Sequence, residues 1–284
     1  MSNKRSNTAR SDQRKKRAKS FFCAKERVKA YDKFAIRPNM KGVMVTCTRG
    51  KEAAASKEVI DMFEQYAAEM YPEAFNENKG DDDDDDEDDI EAAIQKEVAQ
   101  LKKGKKRKFI NTSTNMDCVL FIETRDPIEP VPFVHHILSD LAKTQRKRTR
   151  YVSRLLPVQT TCNANLPAIE QNSKPILAPK FHNDNDDEQP SSKAFAVVAR
   201  VRNCDKMDRM SVIQTLASVV GPGHHVDLDN PEITIIAEIC QDICMLSAVE
   251  DFNEFKKYNI ESIISAAKKI DKEEKTQDQK QKDD

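Results

Sequence analysis

Residues 194–240 read AFAVVARVRNCDKMDRMSVIQTLASVVGPGHHVDLDNPEITIIAEIC. Ala194 to Val201 is a run of apolar and β-branched residues, so a strand is expected there. From Met207 to Val220, apolar residues recur at helical spacing, which puts Met210, Ile213, Leu216, Ala217 and Val220 on one face. Gly221-Pro222-Gly223 ends that helix. His224 to Leu228 predicts a short strand, Asn230-Pro231 a turn, and Ile233 to Cys240 and Ile243 to Ser247 two apolar strands. Ahead of this block, Leu166, Ile169, Ile176 and Leu177 form a weaker helical pattern that Pro175 and Pro179 are expected to break. Behind it, Ile260, Ile263, Ile264 and Ala267 mark a short amphipathic helix before a polar tail.

The first half repeats the alternation. KGVMVTCT (41–48) predicts a strand, and Ala55, Val59, Met62, Phe63, Tyr66 and Met70 predict an amphipathic helix that Pro72 helps to stop. A weak strand is expected near Phe109 and a buried one over Asp117 to Glu123. Pro127, Pro130 and Pro132 punctuate a turn. Phe133, Val134, Ile137, Leu138 and Leu141 then follow at helical spacing, and Arg154 to Thr161 is a last extended segment, with Pro157 favouring an edge. The order β-α-β-β-α-β is the ferredoxin-like motif.

Charge is arranged in blocks that the net of -1 conceals. Residues 1–37 carry 13 Lys/Arg against 3 Asp/Glu, while residues 77–91 carry 11 acids against Lys79. Such blocks stay solvated. Residues 1–35 therefore read as a disordered basic arm, an import signal or a segment lying on phosphates. Residues 77–108 read as a low-complexity insertion in which a short helix is expected from Ile90 to Leu101. The acidic run Asp81–Asp89 is read as solvated rather than metal-binding.

Several chemistries find no support. The six glycines fit neither GxGxxG nor GxxxxGK[ST], so no phosphate-cradling cofactor loop can be written. Gly221-Pro222-Gly223 follows its helix instead of preceding it, and Pro222 has no N–H to offer a pyrophosphate. Asp229-Asn230-Pro231-Glu232 lacks the second proline and the aromatic of a methyltransferase Asn-Pro-Pro-Tyr motif, and reads as a turn. Cys240 and Cys244 are a single close pair where structural zinc needs four ligands, so reduced core thiols are expected. The tandem histidines 135–136 and 224–225 point their neighbours apart and cannot chelate as units. No catalytic or metal-ligating set is assigned. No apolar run approaches the length of a membrane helix, and no export signal precedes the seven cysteines, so an intracellular protein is expected.

The segment from Lys143 to Arg154 is different. Lys143, Arg146, Lys147, Arg148, Arg150 and Arg154 surround Tyr151 with no acid among them. Cations at that density on a folded edge neutralise backbone phosphates, and Arg and Tyr also stack on bases.

FAVVARVRN (195–203), the helix containing Gln214, HVDLDNPE (225–232) and ITIIAEI (233–239) together resemble the THUMP domain, an RNA-binding module of tRNA-modifying enzymes. RTRYVSRLLPVQTTCNAN (148–165) resembles the stretch that joins a ferredoxin-like domain to THUMP in those proteins. The resemblance covers 143–250, and KGVMVTCTRGKE extends it to nearly all of the ordered chain. It implies an α+β fold: a ferredoxin-like domain over 36–142 whose last strand reaches about 162, an α/β THUMP domain over 143–250, and a short helix and polar tail over 251–284.

THUMP proteins usually carry a catalytic domain, for which 251–284 leaves no room. The layout is similar to the stand-alone adaptors needed for 4-acetylcytidine formation in the D-arm of serine and leucine tRNAs. The resemblance implies that a separate RNA cytidine acetyltransferase does the chemistry with acetyl-CoA and ATP. This chain would need no cofactor, no metal and no small-molecule substrate of its own. It also implies that the two domains together hold the acceptor stem and 3′ end. Arg150, Arg154, Arg202 and Asn203 stand at basic or polar positions of the family pattern, with Lys180 in the preceding segment. The expected compartment is the nucleus, nucleolus included, and then the cytoplasm. Two rival readings are a self-sufficient RNA-modifying enzyme and a ribosome-assembly or chaperone factor built around the acidic run.

Overall fold

The computed structural model describes residues 35–76, 107–182, 192–269 and 271. The basic arm, the acidic run, the helix expected over 90–101 and the acidic loop over 183–189 lie outside them. Two sheets carry the fold. In the first, β1 (Gly42–Cys47), β2 (Phe109–Thr112), β3 (Val119–Thr124) and β4 (Val152–Val158) lie in the order β2-β3-β1-β4, every neighbour antiparallel. Helix α1 (Glu52–Met70) follows β1, with a short α2 (Pro72–Asn76) behind it, and α3 (Pro130–Thr144) follows β3. Val43, Met44 and Val45 are all buried, so neither face of the central strand meets solvent. The helices bury Val59, Phe63 and Tyr66 from α1 and Phe133, Ile137 and Leu141 from α3, the i, i+3, i+4 stripes that their sequences carry. β4 is an edge strand, where the missing N–H of Pro157 breaks no inner ladder.

The second sheet runs β5-β9-β8-β6-β7, built from β5 (Thr160–Asn163), β6 (Ala194–Arg202), β7 (His225–Val226), β8 (Ile233–Cys240) and β9 (Ile243–Val249). β6 is parallel to β7 and β8, and the other pairs are antiparallel. Helices α4 (Leu166–Phe181) and α5 (Arg209–Val220) cover one face, packing Ile169, Leu177, Phe181, Val212, Leu216 and Val220 onto it. The opposite face sends Ile236, Cys240, Met245 and Val249 into the core of the first sheet. Phe252, Phe255, Tyr258 and a final helix α6 over 260–269 join that same core through Ile260, Ile263 and Ile264. With both faces covered, all eight positions of β8 are buried.

Several elements differ from their sequence reading. Arg154 to Thr161 is two strands in two sheets, β4 and β5. The chain changes sheets at Gln159, whose N–H bonds Leu246 O at 2.9 Å. Pro175 and Pro179 do not break α4, which runs unbroken past both. They sit four residues apart on its exposed side, where water can take the carbonyls that lose their partners. Pro130 and Pro132 belong to the first turn of α3, where a missing N–H costs no helical bond. Met210 is 55% exposed; the buried stripe of α5 is Val212, Leu216 and Val220. The strand expected over His224 to Leu228 shrinks to two residues, because Asp227 turns the chain by accepting from the N–H groups of Asp229 and Asn230.

α4 starts at Asn165, whose side-chain oxygen accepts from Ala168 N at 2.8 Å. Asn165→Ala should cost about 1 kcal/mol, read as a shift of the urea midpoint without a change in slope. No shift would mean that the cap is idle.

Candidate nucleic-acid interface

Helix α3 ends where Gln145 turns left-handed (φ 51°) with its N–H on Leu141 O. The next six residues cross one end of the first sheet before β4 begins. Glu58 of α1 fixes that crossing: its carboxylate accepts from the backbone N–H groups of Arg150 at 2.8 Å and Tyr151 at 3.1 Å. Thr48 N also donates to Tyr151 O at 2.9 Å. The basic segment is therefore held by its backbone, and its side chains are left to face outward.

They do so unequally. Lys143, Arg146, Lys147 and Arg150 are exposed, and no ion pair holds them among the described residues. Arg150 lies 5.4 Å from the Tyr151 ring centroid and Lys51 lies 5.8 Å from it, so this half-buried ring sits between two cations. Lys51 was not singled out from sequence; its place before α1 gives no local sign that it meets residue 151. Arg148 is committed elsewhere. Its guanidinium pairs with Asp140 at 3.1 Å and stacks 4.7 Å from the Tyr66 ring, while the Tyr66 hydroxyl also donates to Asp140. Burial, more than the carboxylate, pushes the Tyr66 phenol well above its ordinary range. The segment 143–154 contains no acid, but the fold brings two to it.

Arg154 lies apart from this edge. It pairs with Thr46 in the first sheet, and its backbone bridges Asn259. Its side chain enters a second basic group with Arg200 and Arg202 of β6 around Glu238 of β8. Arg202 Nε is 3.3 Å and Arg200 Nε 3.7 Å from the Glu238 carboxylate, which is 3% exposed. Burial raises the Glu238 carboxyl, opposed by Arg202, Arg200 and Arg154. Burial likewise lowers the Arg154 guanidinium, with Arg200 and Arg202 adding to it and Glu238 opposing. Arg200 went unnoticed in the sequence, although two signals were there: Arg at i and i+2 shares a strand face, and a lone Glu inside ITIIAEIC needs a partner. Asn203, exposed and left-handed (φ 49°), follows Arg202 at the end of β6. Lys180 is remote from both groups, bonded to Glu250 at 2.7 Å.

The other candidates fall into structural roles. Six cysteines among the described residues are free thiols, and burial pushes the Cys240 thiol up to about 12. Cys162 and Cys244 face each other across β5 and β9. His224 packs edge-on against Phe181, 5.0 Å between centroids. His135 meets Asp251 at 3.6 Å. No group of three or more His, Cys, Asp or Glu among the described residues is placed to hold a metal. No described helix is long and apolar enough to cross a membrane.

The THUMP domain family matches residues 163–249. THUMP domain-containing protein 1 of Bos taurus is 33% identical over 268 residues, 90% of this chain and 73% of the relative. Its Mus musculus counterpart is 34% identical over 266 residues, 89% and 74%. The protein named tRNA acetyltransferase TAN1 of Saccharomyces cerevisiae is 29% identical over 251 residues, 81% of this chain and 86% of the relative.

Proposed function

The chain belongs to the family of THUMP domain-containing protein 1, and on that premise we propose that it is a non-catalytic adaptor that binds tRNA and presents it to a separate RNA cytidine acetyltransferase. The observation that carries the reading is the exposed edge of Lys143, Arg146, Lys147 and Arg150, set beside Tyr151 on a backbone that Glu58 fixes. Four outward cations and an aromatic ring suit a phosphate backbone with an unstacked base beside it. The antiparallel order β2-β3-β1-β4 supports naming the first unit a ferredoxin-like domain. The printed name of the yeast relative supports acetylation as the modification. Serine and leucine tRNAs, the D-arm cytidine, acetyl-CoA and ATP on the partner alone, and a nuclear place of work complete the proposal.

Deleting the gene should remove 4-acetylcytidine from serine and leucine tRNAs, read by nucleoside mass spectrometry. Unchanged modification would overturn the assignment. One observation favours a second reading: that same relative is called an acetyltransferase. Purified protein incubated with tRNA, acetyl-CoA and ATP decides between the two. Acetyl transfer without a partner makes the chain an enzyme; transfer only on addition of a cytidine acetyltransferase makes it the adaptor.

A further inference from the structure

Beside the Arg154, Arg200, Arg202 and Glu238 group lies a cavity of about 530 Å³. Arg200 and Arg202 line it from β6, Arg209 from the start of α5, and Phe252 and Lys257 from the segment before α6. Arg209 is pinned to the strand, its Nε donating to Ala199 O at 3.0 Å. Four cations thus line the cavity, and the buried Glu238 is shared between two of them, Arg200 and Arg202. Arg209 and Lys257 are exposed and the Arg200 and Arg202 side chains are 38% and 33% exposed, so this like-charged group faces solvent and an anion entering from it relieves the mutual repulsion.

A second observation is independent of charge. Lys256, Lys257 and Tyr258 are consecutive non-glycine residues with left-handed backbone, at φ 50°, 59° and 60°. Side chains resist that conformation, and it persists only where the surroundings over-determine it, typically at ligand clamps. The anchors are visible. Tyr258 is buried and its hydroxyl donates to Asp251, while Lys257 N donates to Phe252 O at 2.8 Å. The strained turn brings Lys257 to the cavity wall.

We propose that this cavity between β6 and the 252–258 turn is a phosphate-binding pocket, gripped by Arg200, Arg202, Arg209 and Lys257, and that its occupant is a phosphate group of the bound RNA. Planar guanidinium forks match the oxygens of a phosphate, and an excess of more than one charge suits phosphate better than a single carboxylate. Glu238 holds two of the forks in place beneath the ligand and is a positioning residue. The choice of RNA as the source rests on the tRNA-binding reading; the pocket itself does not.

The test measures inorganic phosphate binding by 31P NMR line broadening and by thermal shift, against chloride at constant ionic strength. The wild-type full chain should bind phosphate. The variant R200Q/R202Q/E238Q, which removes the buried acid together with its partners, should weaken that binding about tenfold or more. K257Q, which leaves the Glu238 ion pairs intact, should weaken it in the same direction. Saturating tRNA should displace the phosphate. Equal phosphate binding in all variants, or none in the wild type, overturns the pocket. Phosphate retained beside bound tRNA overturns RNA as its source and leaves a free phosphorylated compound. Binding that appears only when Asp81–Asp89 are replaced by asparagine makes the chain's own acidic run the occupant, and also overturns the proposal. A wild type that binds phosphate but not tRNA defeats the adaptor reading alone.

Discussion

The fourfold variant K143E/R146E/K147E/R150E is expected to bind tRNA about 100- to 1000-fold more weakly at ~0.15 M salt, because each lost phosphate contact forfeits roughly a three- to sixfold gain from counterion release. The plot of log affinity against log salt should also flatten by about 3 units, since the slope counts the phosphates neutralised. Fluorescence anisotropy across a salt series gives both numbers. These four side chains are exposed and hold no ion pair among the described residues, so the stability loss should stay within about 1–2 kcal/mol, from Lys143 at the end of α3 and Arg150 on the Tyr151 ring. Arg148 is left out deliberately. Its pairing with Asp140 and stacking on Tyr66 make it part of the fold, and reversing it would confuse lost stability with lost affinity. An unchanged affinity and slope would remove the basic edge from the interface.

Phe63→Ala should be the most damaging single substitution in the core, costing about 3–5 kcal/mol. Phe63 is fully buried at the centre of an aromatic trio, with ring centroids 5.4 Å from Phe109 and 5.2 Å from Phe133. Its removal leaves a cavity between α1, β2 and α3, which no neighbour can fill without leaving its own rotamer. Against a typical domain stability of about 5–15 kcal/mol, the loss is a large share. Chemical unfolding should show a lower midpoint with the slope retained; a loss below about 1 kcal/mol would mean that the trio is loosely packed.

The strands and helices were legible because their period is local. AFAVVARV and ITIIAEIC are strands on inspection, and they are β6 and β8. The departures have local causes as well. Pro175 and Pro179 look like breakers until they are seen to share a solvent face, and Met210 drops off the stripe because α5 turns Val212 inward instead. The basic site was legible in outline only. A sequence shows where cations cluster, but not which acids the fold returns to them. Arg148 loses its freedom to Asp140, Arg202 to Glu238 36 residues away, and Lys180 to Glu250 70 residues away. Lys51 reaches Tyr151, and Arg200 and Lys257 reach a common cavity, only through tertiary packing.

The core that runs from β1 and α3 into Ile236, Met245, Tyr258 and Ile263 is continuous between the two sheets, and close-packed side chains resist sliding. The basic edge at 143–151 and the arginine group on β6 therefore stand at a fixed separation, like the two jaws of a set calliper. On the proposed reading, an RNA that meets one is delivered to the other at high effective concentration, with little further loss of rotational freedom. A substrate whose phosphates match that spacing gains the product of two modest affinities, and one that does not gains only the larger. On the proposed function, selectivity for a particular folded RNA then comes from distance, without a base-specific contact at either jaw.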